Sequence, residues 1–400
     1  MTSKSQFINS LLTRFGKLSI TAALIAIGFS MLSSRPATAQ TYNALYTFAG
    51  GTTDGYNPHA GLIRDAAGNL YGTTVYGGFS SSGTVFKIDA HDTETVLYNF
   101  TGGADGSQPQ GVLARDPAGN LYGTTQAGGN ARAGVIFRVD KFGNETVLYS
   151  FSGGSDGKNP VAGLIGDAAG NIYGTTEYGG LSGIGTVFKL GNNHKLTVLH
   201  SFAPGSTDGQ VPVGGLIRDS AGNLYGTTQY GGASSQGTVF KIDASGHFTI
   251  LHSFTGNDGA NPAAGLVRDS AGNLYGTTQY GGTGMGVIFK LDAGTNLEHV
   301  LHSFTGSSDG SVPTGDLLRD SAGNFYGTTY GGGAGSCGTV FKLDKTNHES
   351  IVHYFNNYPT DGCTAYGSLV ADPAGNLYGT TYRGSANGYD NMGIVFKVHP

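Results

Sequence analysis

The chain has 400 residues, including 70 glycines, 22 tyrosines and 21 phenylalanines, and its formal net charge is −5. The glycines follow no three-residue period, which excludes a collagen-like fibre, and an apolar fraction of 38% supplies a packed core, which argues against disorder. Only 12% of the residues are charged and the lysines and arginines form no run, so we expect neither nucleic acid nor an anionic membrane surface as a partner.

The first 39 residues have the three parts of a secretory signal peptide. Basic residues come first, an apolar run covers residues 18–32, and a small-x-small cleavage motif ends at Ala39. The alternative is an uncleaved membrane anchor, but the run is shorter than the roughly 20 residues that span a bilayer. We therefore expect a signal peptide over 1–39, a mature chain that starts at Gln40 without a transmembrane segment, and a secreted or cell-surface location.

One unit is repeated along the remainder of the chain. The string Gly-Asn-Leu-Tyr-Gly-Thr-Thr, or a close variant of it, recurs at intervals of 50 to 52 residues. Its asparagines are Asn69, Asn120, Asn171, Asn223, Asn273, Asn324 and Asn376. Because this period extends over the whole mature chain, we expect residues 40–400 to form one repeat domain.

Each unit contains four short runs with the composition of β-strands. In the first unit they are Gly61–Asp65, Asn69–Thr74, Thr84–Asp89 and Thr95–Phe100. They are rich in Val, Ile, Leu, Tyr, Phe and Thr, and clusters of Gly, Asp and Asn separate them. No segment shows a sustained helical period, so the sequence predicts an all-β protein.

Seven four-stranded units at this spacing predict a seven-bladed β-propeller. The ends of the repeat region support a closed ring. Ala44–Phe48 has the composition of a fourth strand without its three partners, and Ile394–Val398 is a third strand without its fourth. We expect these two segments to pair and to complete one blade from both ends of the chain.

The recurring strings Gly-Asn-Leu-Tyr-Gly-Thr-Thr, Tyr-Gly-Gly, Gly-Thr-Val-Phe-Lys and Leu-His-Ser-Phe resemble the GloVer tandem-repeat family of bacteria, also called choice-of-anchor tandem-repeat proteins. The resemblance covers Tyr42 to Pro400. It implies an exported or cell-surface protein, and it implies no activity, cofactor or catalytic residue.

Two cysteines, Cys337 and Cys363, fall in loops of adjoining blades that we expect on the same face of the ring. In an exported protein an even number of cysteines favours a disulfide, and two free buried thiols are the alternative.

That face carries the Asp-Gly loops, which precede each first strand, and the Tyr-Gly-Gly loops, which follow each second strand. Tyr178, Tyr230 and Tyr280, with Tyr76, begin Tyr-Gly-Gly loops and could stack on a sugar or anchor a protein. Packing between blades is the alternative interpretation of these tyrosines.

Carboxylate and imidazole side chains that recur in the repeats suggest metal binding, but their pattern argues against a metal site. The seven Asp-Gly aspartates could bind Ca²⁺ or could close Asx turns, and the conserved pairing with Gly favours the turn. His200, His252, His302 and His353 occupy a fourth-strand position that is Tyr in other units, and Tyr does not replace a ligating imidazole. We predict no metal and no cofactor.

A single binding site must break the seven-fold repeat. The most variable position precedes the first strand of each unit and should surround the mouth of the central channel: His59, Gln110, Val161, Val213, Ala263, Thr314 and Tyr366. His59, Tyr366, Arg383 and Asp390 lie near the ring closure and could form a polar pocket, with simple drift between repeats as the alternative.

These features favour an exported, non-catalytic, monomeric propeller that binds a surface glycan or a protein through its Tyr-Gly-Gly and Asp-Gly loops. A hydrolase or lyase with its site in the central funnel is one alternative, and a structural surface-layer repeat protein is another. No nucleophile elbow, phosphate loop or dinucleotide motif supports an enzyme.

Overall fold

The computed structural model describes residues 41–205, 208–356, 361–384 and 392–400, which contain β-strands and no helix. The expected signal peptide lies outside these ranges. In the described part of the chain, no helix has the length and apolar character needed to cross a membrane.

The described chain forms seven antiparallel four-stranded sheets arranged as a seven-bladed β-propeller, as the repeat predicts. From the first to the fourth strand, the blades are Ile63–Arg64, Leu70–Thr74, Thr84–Ile88 and Glu94–Asn99 (blade 1); Ala114–Arg115, Leu121–Ala127, Val135–Val139 and Glu145–Ser150 (blade 2); Ile165–Gly166, Ile172–Thr176, Thr186–Leu190 and Leu196–Ser201 (blade 3); and Ile217–Arg218, Leu224–Thr228, Thr238–Ile242 and Phe248–Ser253 (blade 4). The others are Val267–Arg268, Leu274–Thr278, Val287–Leu291 and Glu298–Ser303 (blade 5); Leu318–Arg319, Phe325–Gly331, Thr339–Leu343 and Glu349–Tyr354 (blade 6); and Val370–Ala371, Leu377–Thr381, Ile394–His399 and Thr41–Thr47 (blade 7). The first strands have two residues each and are shorter than predicted.

Blade 7 is completed from both ends of the repeat region. Thr41–Thr47 pairs antiparallel with Ile394–His399, from Thr41 opposite His399 to Thr47 opposite Ile394. The predicted closure is therefore confirmed, with a longer pairing than the sequence suggested.

The Asp-Gly and Tyr-Gly-Gly loops pair with each other, which places them on one face of the ring. Gly55–Tyr56 pairs with Tyr76–Gly77, and Gly209–Gln210 pairs with Tyr230–Gly231. In blades 2 and 6 the equivalent strands, Ser107–Pro109 and Ser311–Pro313, pair directly with the lengthened second strand. We call this surface the loop face.

The core consists of seven apolar layers, each between two neighbouring blades. Phe48, at the end of the fourth strand of blade 7, meets Phe86 of blade 1 edge to face at 5.1 Å between ring centroids, and both are fully buried. The other layers repeat this pair, as Phe100–Phe137, Phe151–Phe188, Phe202–Phe240, Phe254–Phe289, Phe304–Phe341 and Phe355–Phe396. A Cβ on Gly72 would lie 2.6 Å from the Phe86 ring, which explains the glycine between Tyr and Thr in the repeat.

Small residues let the first strands approach one another around the axis. A Cβ on Gly111 would lie 2.4 Å from the carbonyl oxygen of Ala162 in the next blade. The Thr124 hydroxyl donates to that same carbonyl at 3.0 Å. The first Thr of the Gly-Thr-Thr string thus ties each of several blades to the next.

Cys337 and Cys363 form a disulfide, as expected. It joins the loop after the second strand of blade 6 to the Asp-Gly loop that leads into blade 7, so it links two neighbouring blades on the loop face. In the same place, the Thr364 amide donates to the Cys337 carbonyl at 2.8 Å.

Candidate functional site

A cavity of about 480 Å³ opens at the centre of the loop face. All seven residues of the variable position before the first strand line it: His59, Gln110, Val161, Val213, Ala263, Thr314 and Tyr366. The sequence therefore identified this inner ring of residues correctly. The volume of the cavity is in the range of small-molecule sites.

A second ring, which the sequence analysis missed, lies at the position after Gly-Thr-Thr: Val75, Gln126, Glu177, Gln229, Gln279, Tyr330 and Tyr382. Gln126, Glu177, Gln229 and Gln279 line the cavity. The signal was available, because this position also drifts between repeats whereas the Gly-Thr-Thr before it does not. The residue that directly follows Gly-Thr-Thr in each unit therefore lies near the mouth of the channel.

Aromatic side chains of blades 6, 7 and 1 form one wall of the mouth. The rings of His59 and Tyr366 stack with centroids 4.5 Å apart and planes inclined by 27°. Tyr330 and Tyr382 contact Tyr366 at 5.0 and 5.5 Å. Burial lowers the pKa of His59 to about 4 and raises that of Tyr366 to about 12, so both rings are uncharged at neutral pH.

Amide side chains form the other wall. The Gln110 amide nitrogen donates to the Gln126 side-chain oxygen at 2.7 Å, and Gln229 donates to Gln279 at 3.4 Å. Because each amide carries two donors and a two-lone-pair acceptor, these pairs retain capacity for hydrogen bonds to a ligand.

Two carboxylates line the cavity, Glu177 and Asp316. Burial raises the pKa of each. Asp316 was missed because it lies two residues beyond the variable position, where the other units have Gly, Val or Ser. Its departure from the repeat was the signal.

The three predicted tyrosines of the Tyr-Gly-Gly loops are exposed on the loop face. Tyr178, Tyr230 and Tyr280 have 43%, 44% and 48% of their surface accessible. Tyr76 differs, because it is half-buried and stacks on Tyr56 at 5.5 Å. The three tyrosines of blades 3, 4 and 5 are thus partly accessible, and each directly follows a cavity residue of the second ring.

The polar pocket predicted at the ring closure forms only in part. The structure brings His59 and Tyr366 together, but Arg383 is exposed and is not among the residues that line the cavity. Its backbone pairs with Cys363 instead. Asp390 lies outside the described residues.

The Asp-Gly aspartates brace their own loops. The Asp105 carboxylate accepts hydrogen bonds from the Thr101 amide at 2.7 Å and from the Tyr98 hydroxyl at 3.0 Å. Because the donors precede the aspartate by four and seven residues, this is a backward brace and not the Asx turn that we expected. In the four units with His in place of Tyr, the imidazole lies against the same carboxylate, as in His200–Asp208, His252–Asp258, His302–Asp309 and His353–Asp361.

The Tyr-to-His exchange therefore has a structural explanation, because a phenol and an imidazole can both donate to a carboxylate. Across the described ranges, no three His, Cys, Asp or Glu side chains are arranged to hold a metal ion.

The sequence profile of the Gloeobacter/Verrucomicrobia repeat matches residues 30–167, 95–284 and 244–400 in three overlapping segments. The chain belongs to this repeat family. The resemblance to the GloVer repeats is thereby confirmed. No curated protein matches the chain.

Among solved structures, the fold is similar to the extracellular domain of BT4673 from B. thetaiotaomicron, with a TM-score of 0.57, 11% identity and coverage of 88% of this chain and 39% of that one. It is also similar to a GH74 enzyme of Niastella koreensis, with a TM-score of 0.56, 15% identity and coverage of 88% and 55%. The chain thus spans 39% of the length of the first protein and 55% of the length of the second. At these identities the similarity concerns the propeller fold alone.

Proposed function

We propose that this repeat-family protein is an exported, non-catalytic propeller that binds a glycan at the centre of its loop face. In this proposal, residues 1–39 direct export and are removed, and residues 40–400 act as a monomer. One observation carries it: a cavity with one aromatic and one amide wall lies beside three exposed tyrosines.

The chemistry of the two walls suits a sugar. Aromatic faces pack against the apolar C–H face of a pyranose, while amides and hydroxyls satisfy its hydroxyl groups. Tyr178, Tyr230 and Tyr280 extend the aromatic surface outward over blades 3, 4 and 5, which would suit an oligomer better than a single sugar.

A glycan array probed with the full chain, expressed for export, tests this proposal. Tyr366→Ala and Gln110→Ala should each weaken binding at least about tenfold, since each removes a wall contact worth roughly 1.4 kcal/mol or more. Phe142→Ala is the matched control, because Phe142 is 78% exposed in a hairpin away from the loop face. The proposal would be refuted if the folded protein bound no glycan, or if neither Tyr366→Ala nor Gln110→Ala changed the affinity. A protein ligand or a surface-layer role would then remain.

A hydrolase or lyase is the second candidate, and one observation favours it. Asp316 is a buried carboxyl in the cavity whose pKa burial raises, and such groups serve as general acids in many enzymes. Mass spectrometry of any bound oligosaccharide after prolonged incubation distinguishes the two. We expect intact ligand; shorter fragments that disappear in Asp316→Asn would assign an enzyme instead.

A further inference from the structure

The charge of the cavity is one-sided. Of its described lining residues, Glu177 and Asp316 are acidic and none is Lys or Arg. Arg383 is exposed on the rim outside that lining. The nearby imidazole of His59 stays neutral at pH 7, because burial lowers its pKa to about 4. No protein cation therefore balances these two carboxylates within the described lining.

Asp316 is held at a fixed place in the channel by both neighbouring blades. Its carboxylate oxygen accepts from the Gly265 amide of blade 5 at 2.6 Å, and its own amide donates to the Ser368 hydroxyl of blade 7 at 3.2 Å. The equivalent residues of the other blades are Gly61, Val112, Gly163, Gly215, Gly265 and Ser368. One blade in seven thus places a carboxyl group there, which gives the channel one acidic group that the other six blades lack at this position.

Glu177 is the acidic member of the second ring. The other blades have Val, Gln or Tyr at this position. It is half-buried and belongs to blade 3, whereas Asp316 belongs to blade 6, so the two carboxylates enter the cavity from different sides of the ring. Anionic groups on separate sides would surround a cation and would repel an acidic ligand.

The aromatic wall favours the same kind of ligand. A cation over the face of an aromatic ring is attracted by the ring quadrupole, more strongly when water is excluded. His59 and Tyr366 both line the cavity and stack on each other, and Tyr330 and Tyr382 contact Tyr366. Carboxylates and aromatic rings around one cavity are the usual elements of ammonium recognition.

We propose that the cavity selects a glycan with a free, protonated amino group, that is, an amino sugar without its N-acetyl cap. This inference rests on the proposed glycan-binding function and specifies its ligand class. The ammonium would lie against Asp316 and stabilise the ionised form of its buried carboxyl group, and Glu177 would attract the ligand from the other side of the cavity. The sugar ring would lie against His59 and Tyr366.

Calorimetric titration with two oligosaccharides of equal length, glucosamine oligomers and N-acetylglucosamine oligomers, tests the inference at neutral pH. We expect the full chain to bind the free amine at least about tenfold more tightly, as one charge-assisted hydrogen bond would give. Asp316→Asn and Glu177→Gln should each reduce the ratio of the two affinities several-fold. Glu145→Gln is the control, because this half-buried glutamate lies outside the cavity lining and should leave the ratio unchanged.

The outcomes separate the two proposals. Equal affinity for both oligomers, or tighter binding of polygalacturonate, would overturn the amine inference while glycan binding stands. If the folded protein binds neither these oligomers nor any other glycan, the proposed function fails and the inference fails with it. If Asp316→Asn does not fold, Glu177→Gln on a different blade still tests the inference.

Discussion

The imidazole Nε2 of His252 lies 3.0 Å from a carboxylate oxygen of Asp258, and the pair closes the loop that leads from blade 4 into blade 5. Burial lowers the pKa of His252, so at neutral pH the ring is uncharged and donates one hydrogen bond. Tyr98 does the same for Asp105 with its phenol. The brace thus requires a hydrogen-bond donor of suitable reach and not a particular residue.

The protein should accordingly tolerate an exchange of Tyr and His at the brace position, but it should lose stability when the hydrogen-bond donor is removed. We expect Tyr98→His to change the free energy of unfolding little, and Tyr98→Phe to cost about 1 kcal/mol, since Phe leaves one Asp105 acceptor unmet. Urea unfolding of both variants measures the difference. Equal losses in both would show that the hydroxyl itself, or the packing of the Tyr ring, matters more than the hydrogen bond.

A second set of carboxyls makes stability depend on pH. Glu94, Glu145, Glu298 and Glu349 begin fourth strands, and in each one side-chain oxygen is buried without a hydrogen-bond partner among the described residues. Burial, together with the Asp105 carboxylate, raises the pKa of Glu145 to about 7. A carboxyl with a raised folded pKa costs stability in its ionised form; that cost is full above pH 7 and disappears near its unfolded pKa.

Glu145→Gln should therefore stabilise the protein at pH 8 and should lose this advantage at pH 5. Comparison of variant with wild type at each pH removes the contribution of the buried histidines, whose lowered pKa values act in the opposite direction. Melting temperatures by circular dichroism give the measurement, and Asp92→Asn in an exposed hairpin is the control. An advantage that does not depend on pH would contradict the assignment.

Much of the ring could be predicted because one short string specifies one unit of structure. The Leu of Gly-Asn-Leu-Tyr, as in Leu70, is buried in its blade, and the aspartate of the preceding hairpin, Asp65, accepts from the Asn69 amide and from the Tyr71 hydroxyl. Seven copies of such local agreement leave few alternatives, so the strand order and the closure followed from the sequence.

The site was predicted less completely, because it depends on where side chains from seven blades converge. The variable position before the first strand stands out when the seven repeats are compared, so His59 and Tyr366 were identified. Asp316 and Glu177 also depart from the other repeats at their positions, but only the geometry of the channel mouth shows that both reach the same cavity. Sequence spacing contains no information about this radial direction.

The disulfide should contribute measurably because it closes a loop across two blades. Cys337 and Cys363 are separated by 26 residues, and closure of a loop of that size destabilises the unfolded chain by about 3.5 kcal/mol in the entropic model. We expect Cys337→Ser with Cys363→Ser to lower the urea midpoint accordingly, and the reduced wild type to match the double variant. A reduced wild type as stable as the oxidised protein would contradict this expectation.

Closure of the ring should be its most vulnerable point. The fourth strands of blades 1 to 6 follow their third strands through a short hairpin, whereas Thr41–Thr47 is connected to Ile394–His399 by hydrogen bonds and packing alone. Phe48, buried against Phe86, anchors this strand, and Phe202 is its counterpart in blade 3. Either Phe→Ala change should cost about 3–5 kcal/mol through the cavity that it creates.

Phe48→Ala and Phe202→Ala should differ in which strands lose their protection from hydrogen exchange. In Phe48→Ala we expect rapid amide hydrogen exchange along both 41–47 and 394–399, since no hairpin connects these two strands when the anchor is lost. In Phe202→Ala the third and fourth strands of blade 3 should keep their protection relative to global unfolding, because the hairpin retains them. Hydrogen exchange followed by mass spectrometry resolves these segments. Equal protection of the closure strands in the two variants would mean that the hydrogen bonds of blade 7 alone suffice to keep the ring shut.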